Sequence, residues 1–342
     1  MSSFFGDLMS YGASITEAIA TLTSVSVLLQ LKRSLMTGAL GLSLHWFSWS
    51  NPVAIWWSFL VATSIANIAL WFLLHRRFRR RMLNLQRGLL RIELMVLLCG
   101  AYVFGCAFRS VLPRADVQRI CLFDIWLSNA LVGRSVATVA EICFVFQWAI
   151  VLRQLADMVR SDTVRNISLM VVPLILLAEC CSWYAVVTTN YLGNAIENSL
   201  WAATFLFIAI ALMRLLVEFH GAIRLAISTA IVGIGGFLAF LITIDVPMYL
   251  GRWQTDLADG KEMLGLFVGL YDLNTRWVVT HDFAHWQNEI AWMSLYFSVA
   301  VWSSLVLCSF DLMKDQLPRF RTRPAFASSQ TRAGASAAVP AE

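Results

Sequence analysis

Charge is the first thing this chain is short of. Asp, Glu, Lys and Arg make up 14% of its 342 residues and apolar residues 59%, whereas soluble domains carry roughly 25% charge. That balance excludes a water-soluble globular protein and leaves a polytopic membrane protein. Lysine is nearly missing: Lys32, Lys261 and Lys314 are the only three, and none falls in an apolar run long enough to span a bilayer. The seven cysteines form no C-x-x-C pair, which argues against a zinc ribbon and a disulfide framework. Cys180 and Cys181 are adjacent, a spacing that strains any disulfide between them. The net charge of +5 comes from short arginine blocks flanking apolar runs, with no basic face interleaved with aromatics, so nucleic acid is excluded as a partner.

Acid is absent from the stretch that organises everything else. His75 to Arg91, HRRFRRRMLNLQRGLLR, holds seven arginines between two long apolar runs, and such loops resist translocation and stay cytoplasmic. Seven runs of the roughly 20 residues a bilayer core requires can be placed. They cover about Pro52 to Leu74, Leu89 to Val111, Ser128 to Leu152, Asn166 to Thr189, Asn194 to Leu216, Ala222 to Val246, and Trp286 to Phe310. With the arginine block inside, the cytoplasmic segments up to Arg323 hold sixteen basic residues against six in the two charged outer loops. The expected fold class is therefore an all-α, seven-helix transmembrane bundle over 52–310, N-terminus outside and C-terminus inside.

The flanks read differently. Ile15 to Leu31 is apolar but short, contains Glu17 and lacks a basic stretch before it, so a cleaved signal peptide is not expected. If it spanned, the arginine block would fall outside; 1–51 is therefore read as an interfacial amphipathic segment. The tail, 311–342, is Ala/Ser-rich toward its end and expected to be largely disordered. In the longest outer loop, Tyr249 to Thr280, Asp259 is positioned to cap a short helix over Lys261 to Leu270.

Ionisable groups inside membrane spans are costly and each raises a question of function. Glu141 falls near the middle of the third run and Glu179 toward the outer half of the fourth. Glu197, Asp245, His281, His285 and Glu289 lie at or just below the outer ends of the last three. In THDFAHWQNE, His281, His285 and Glu289 recur at i, i+4, i+8, which on a continuous helix places them on one face. Two imidazoles a turn apart suit zinc or another divalent metal, and a carboxylate below can complete the site. Arg134, Thr138 and Glu141 share a face at i, i+4, i+7, so Arg134 can neutralise a carboxylate there or on a neighbouring helix. Asp245 precedes Val246 and Pro247 and is read as marking the break of the sixth helix. Arg109, in the outer loop region, is the best candidate there for a buried partner.

The H-x-x-x-H at the start of the seventh run is similar to the last motif of the seven-helix alkaline ceramidase and adiponectin-receptor superfamily. That resemblance covers a few residues and carries over only His281 and His285. It implies a zinc site acting on lipid amides; the superfamily's third histidine has no counterpart, since His75 and His220 fall on the cytoplasmic side and His45 precedes the first run. Microbial rhodopsins need a lysine in their seventh helix for retinal, and none is present.

Three function classes follow. A metal-dependent intramembrane hydrolase of a lipid amide or ester would use His281, His285 and Glu289 on the metal with Glu141, Glu179 or Asp245 as further ligand or general base. A proton-coupled carrier would use Glu141 and Glu179 as protonatable sites. A sensor or scaffold would hold a ligand in the outer vestibule without catalysis. The first leads. Anionic lipid is expected at the arginine block, and the membrane, if the source is bacterial, is the cytoplasmic one.

Overall fold

The computed structural model of the protein describes residues 46–82 and 89–314. The interfacial segment expected before residue 46 and the tail beyond 314 lie outside them. The described helices are α1 (Pro52–Met82), α2 (Leu89–Val111), α3 (Ala130–Val159), α4 (Asp162–Thr188), α5 (Tyr191–Leu216), α6 (Gly221–Phe240), α7 (Val246–Ala258), α8 (Leu266–Thr275), α9 (Phe283–Leu295) and α10 (Val301–Lys314). Seven continuous helical stretches are long and apolar enough to cross a membrane, the sixth and seventh being α6 with α7 and α9 with α10. This fits an integral, multi-pass, all-α membrane protein.

Short connections force the neighbours antiparallel. Asn129 caps α3 by accepting from the Val132 amide at 2.8 Å, and α3 ends on Arg160 in the left-handed region (φ 55°). Ser161 then caps α4, whose last carbonyls are closed off by Thr189 (φ 56°) before Asn190 caps α5. Polar residues with side-chain acceptors stand where an orphan amide needs one. The capping pattern thus folds α3, α4 and α5 into an up-down-up unit.

One end of the bundle carries the arginines. Arg76, Arg77, Arg79 and Arg80 extend α1 as exposed residues around the buried Phe78, so the block is helical from His75 to Met82, about its first two turns, rather than a loop. The opposite end is capped. The connection after α2 forms β1 (Arg114–Ala115) antiparallel to β2 (Ile120–Cys121), and β2 pairs in parallel with β3 (Val278–Val279) from the connection before α9. This small sheet ties two distant connections together across the end of the bundle.

Two expectations are corrected at that end. The sixth crossing does not break at Asp245 but runs on from Ile223 to Ala258, through a wide π-turn over Leu241–Asp245. Pro247 sits in the first turn of α7 and has no amide to donate; the widened turn absorbs that loss without ending the helix. The short helix begins at Leu266, after Gly265, rather than at Lys261, because Asp259 closes α7 and Gly260 (φ 64°) reverses the chain. α8 presses so closely on the end of α4 that a Cβ on Gly269 would lie 2.1 Å from the Val187 carbonyl oxygen.

A second π-turn, Tyr296–Ala300, joins α9 to α10. Asn67 of α1 donates to the Phe297 carbonyl at 2.9 Å and accepts from the Trp302 indole at 3.0 Å, which satisfies a backbone group in the irregular turn away from water. Two of the seven crossings therefore carry a π-turn, and a polar residue stands at each: Asp245 and Tyr296.

Candidate functional site: a buried arginine among three glutamates

Arg134 enters the bundle on the second turn of α3, where its side chain is almost fully buried. Its Nη2 donates to Glu179 Oε2 at 2.7 Å and to Glu141 Oε2 at 3.1 Å, and lies 3.5 Å from Glu197 Oε1. The glutamates come from α4, from α3 itself and from α5, and all three are buried. The i, i+7 relation of Arg134 and Glu141 is what the shared helix face predicts. Thr138 on the same face donates to Glu179 Oε2 at 2.6 Å and accepts from the Trp183 indole at 3.0 Å.

Further donors fix each carboxylate separately. Tyr296, at the start of the second π-turn, donates its hydroxyl to Glu141 Oε1 at 2.9 Å, and Asn194 donates to Glu197 Oε2 at 3.1 Å. Glu179 Oε1, Arg134 Nε and Asn194 Oδ1 are buried without a hydrogen-bond partner.

Charge counting defines the chemistry. One guanidinium faces three carboxylates, leaving two negative charges uncompensated if all ionise, and ions stripped of water cost several kcal/mol each unless paired. The cluster must gain positive charge, as protons or as a cation. The three glutamates offer one oxygen each within 4.8 Å of one another, close enough to hold a metal ion. Arg134 Nη2 already stands among them, so a metal bound there requires the guanidinium to leave.

A second polar group sits closer to the capped end. Glu289 is buried and accepts from the Trp292 indole at 2.6 Å and from Gln118 at 3.3 Å, with Arg252 at 3.5 Å. Arg252 lies over the rings of Tyr191 and Tyr249. Asp245, at the first π-turn, accepts from Asn198 at 2.5 Å.

The histidines are placed elsewhere. His281 precedes α9, whose cap is Asp282, so it is not on the helix face that the i, i+4, i+8 spacing assumes. Its ring stacks on Trp46 with centroids 4.3 Å apart, and its Nε2 lies 2.9 Å from the Leu122 carbonyl oxygen. His285 is exposed beside Asp282, while Glu289 faces inward. The ligand-capable group gathered among the described residues is instead Glu141, Glu179 and Glu197.

Arg109, expected to find a buried partner, is 4% exposed and lies 3.6 Å from Asp116. Arg114 donates from Nε to Asp116 Oδ1 at 2.7 Å. Burial pushes the Asp116 carboxyl upward, but Arg114, Arg109 and the other arginines near it hold it below the usual carboxylate range. Burial pushes the Arg114 guanidinium down to about 10 and the Cys121 thiol up to about 11. Arg119 pairs with Asp272 at 3.0 Å and donates to the Val186 carbonyl at 2.8 Å.

Tyr296 and Arg252 escaped the sequence reading. Tyr296 lies seven residues after Glu289, on the same face of an ideal helix, and that spacing was the available signal for it. Arg252 appeared to belong to an outer loop, since only the continuation of the sixth helix carries it into the bundle.

Fold and cluster together define a multi-pass α-helical membrane protein with a buried, charge-asymmetric centre. No family model, curated protein or solved structure matches the chain, so the reading of its activity rests on the centre itself.

Proposed function

We propose that the protein is a proton-linked membrane carrier whose proton-binding centre is Glu141, Glu179 and Glu197 around Arg134. The observation that carries this is the contact of one guanidinium nitrogen with three buried carboxylates. A centre short of positive charge in a low-dielectric surrounding binds protons. One guanidinium and two protons neutralise the three carboxylates; losing a proton leaves Arg134 among more negative charge than it can offset.

The π-turns suit the coupling. Helix irregularities of this kind recur at functional sites, and transporters place polar residues at interrupted helices. Protonation at Glu141 acts directly on the second π-turn through Tyr296. In this reading the arginine end faces the cytoplasm, where Arg76, Arg77, Arg79 and Arg80 meet anionic lipid.

The metal-dependent hydrolase is the second reading, favoured by the 4.8 Å grouping of the three glutamate oxygens. Infrared spectroscopy and elemental analysis of the purified protein separate the two. The carrier reading expects a protonated-carboxyl band at neutral pH that disappears in Glu141→Gln or Glu179→Gln, with no stoichiometric metal. A stoichiometric metal lost in those variants, with no such band, overturns it in favour of the hydrolase.

A further inference from the structure

The capped end holds a charge imbalance opposite to that of the glutamate cluster. Arg109 and Arg114 are 4% and 2% exposed, and the acid they share is Asp116. Arg119 does not add to the excess, because Asp272 pairs with it, while its Nη1 and Nη2 donate to the Asp116 and Val186 carbonyls. One positive charge is therefore left over between Arg109 and Arg114.

Hydrogen bonding shows where that excess points. Arg114 uses only Nε on Asp116; its Nη1 and Nη2 are buried and have no partner, and neither does Arg109 Nε. The free edge of Arg114 is the two-nitrogen fork that matches the two oxygens of a carboxylate or phosphate. Leaving such donors buried and unpaired is costly, so the site is poised for an oxyanion.

Its position ties it to the proton centre. The guanidinium of Arg114 lies flat against the first turn of α3: a Cβ on Gly133 would come 2.3 Å from Arg114 Cζ. The next residue on that helix is Arg134, the hub of the glutamate cluster. Two buried sites of opposite excess charge thus meet at consecutive residues of one helix, Arg114 packing on Gly133 and Arg134 serving the glutamates, one suited to an anion and one to protons.

We infer that Arg114 and Arg109 bind the carboxylate or phosphate of a small anionic solute, which is the species carried together with protons. This rests on the carrier reading and names its substrate class. Charge balances without any further ion when the bound oxyanion places one negative charge at the arginines and two protons sit at the glutamates.

The test uses the full chain in nanodiscs of phosphatidylcholine, titrated calorimetrically with inorganic phosphate and with succinate. Saturable binding of at least one probe is expected. Arg114→Gln should weaken it by about tenfold or more, the loss of a charge-assisted pair of hydrogen bonds. Arg114→Lys, which keeps the charge but not the fork, should fall between, and Arg276→Gln, at an exposed arginine, should change nothing. If Arg114→Gln does not fold, Arg109→Gln stands in, with the same direction expected.

No saturable binding of either probe, or binding unchanged in both arginine variants, overturns the inference. Arg114-dependent binding of phosphatidylglycerol in mixed nanodiscs, with neither soluble probe binding, overturns the assignment to a solute in favour of a lipid headgroup. The carrier reading fails separately, through absence of the carboxyl band from the parent protein, and Arg114→Gln should leave that band in place.

Discussion

Arg134 Nη2 and Glu179 Oε2 lie 2.7 Å apart on neighbouring helices, both buried. That pair joins α3 to α4 at the point where Glu141 and Glu197 also converge. Removing the guanidinium should therefore be among the most damaging single changes. Arg134→Met is expected to cost about 3–5 kcal/mol, the usual result of breaking a buried ion pair from one side. The deficit should shrink as pH falls, since protonating the stranded carboxylates removes their charge. Thermal melting across pH checks both; a deficit independent of pH would show that the glutamates were not charged.

Tyr296→Phe removes the donor to Glu141 Oε1 while keeping the ring that lies 6.1 Å, centroid to centroid, from Tyr102. A stability loss of about 1 kcal/mol is expected. The carboxyl infrared band should shift in frequency, because its hydrogen bonding changes. A shift is diagnostic, since a merely structural tyrosine would leave the band in place.

His281→Ala and His285→Ala should differ. The first loses stacking on Trp46 and the contact with the Leu122 carbonyl, at a cost of about 1–2 kcal/mol. The second is exposed and should fall within about 0.5 kcal/mol of the parent. Equal loss of bound zinc in the two would restore the paired-histidine metal site.

Asp116 predicts the acid limb of stability. Its carboxyl is held below the usual range by Arg114 and Arg109 against the opposing effect of burial. A depressed folded value contributes stability above the unfolded value, and that contribution is lost as pH falls through the folded one. Asp116→Asn should melt lower than the parent at neutral pH, and the gap should close in acid. A gap that persists at low pH would sink this account.

Gly269→Ala should destabilise by about 1–3 kcal/mol, typical of overpacking, because its Cβ would meet the Val187 carbonyl oxygen at 2.1 Å. The same change at Gly235, which has nothing within 4 Å, gives the comparison. Melting temperatures of the two variants check it.

Much of the architecture was legible in the chain. Apolar run length gives the seven crossings because a bilayer demands about twenty residues from each, and the arginine block sets their expected orientation. The Arg134–Thr138–Glu141 face was legible too, since helical periodicity places residues four and seven apart together. Glu179, Glu197, Asp245 and Glu289 could be singled out as buried ionisable groups by their positions within apolar runs.

What tertiary structure decided was which of those groups meet. Helix periodicity acts within one helix, whereas the convergence of Glu179 and Glu197 on Arg134 depends on how α3, α4 and α5 rotate against each other. His281 left the expected face because Asp282 begins the helix one residue after it, a capping event that outweighs the spacing pattern. Arg252 entered the bundle because a π-turn carried the sixth helix past Pro247 instead of ending there. Sequence by itself determined what the helices are and how often they cross. The partners of each charge were settled only by packing, because a buried ion pair joins residues that no local rule relates.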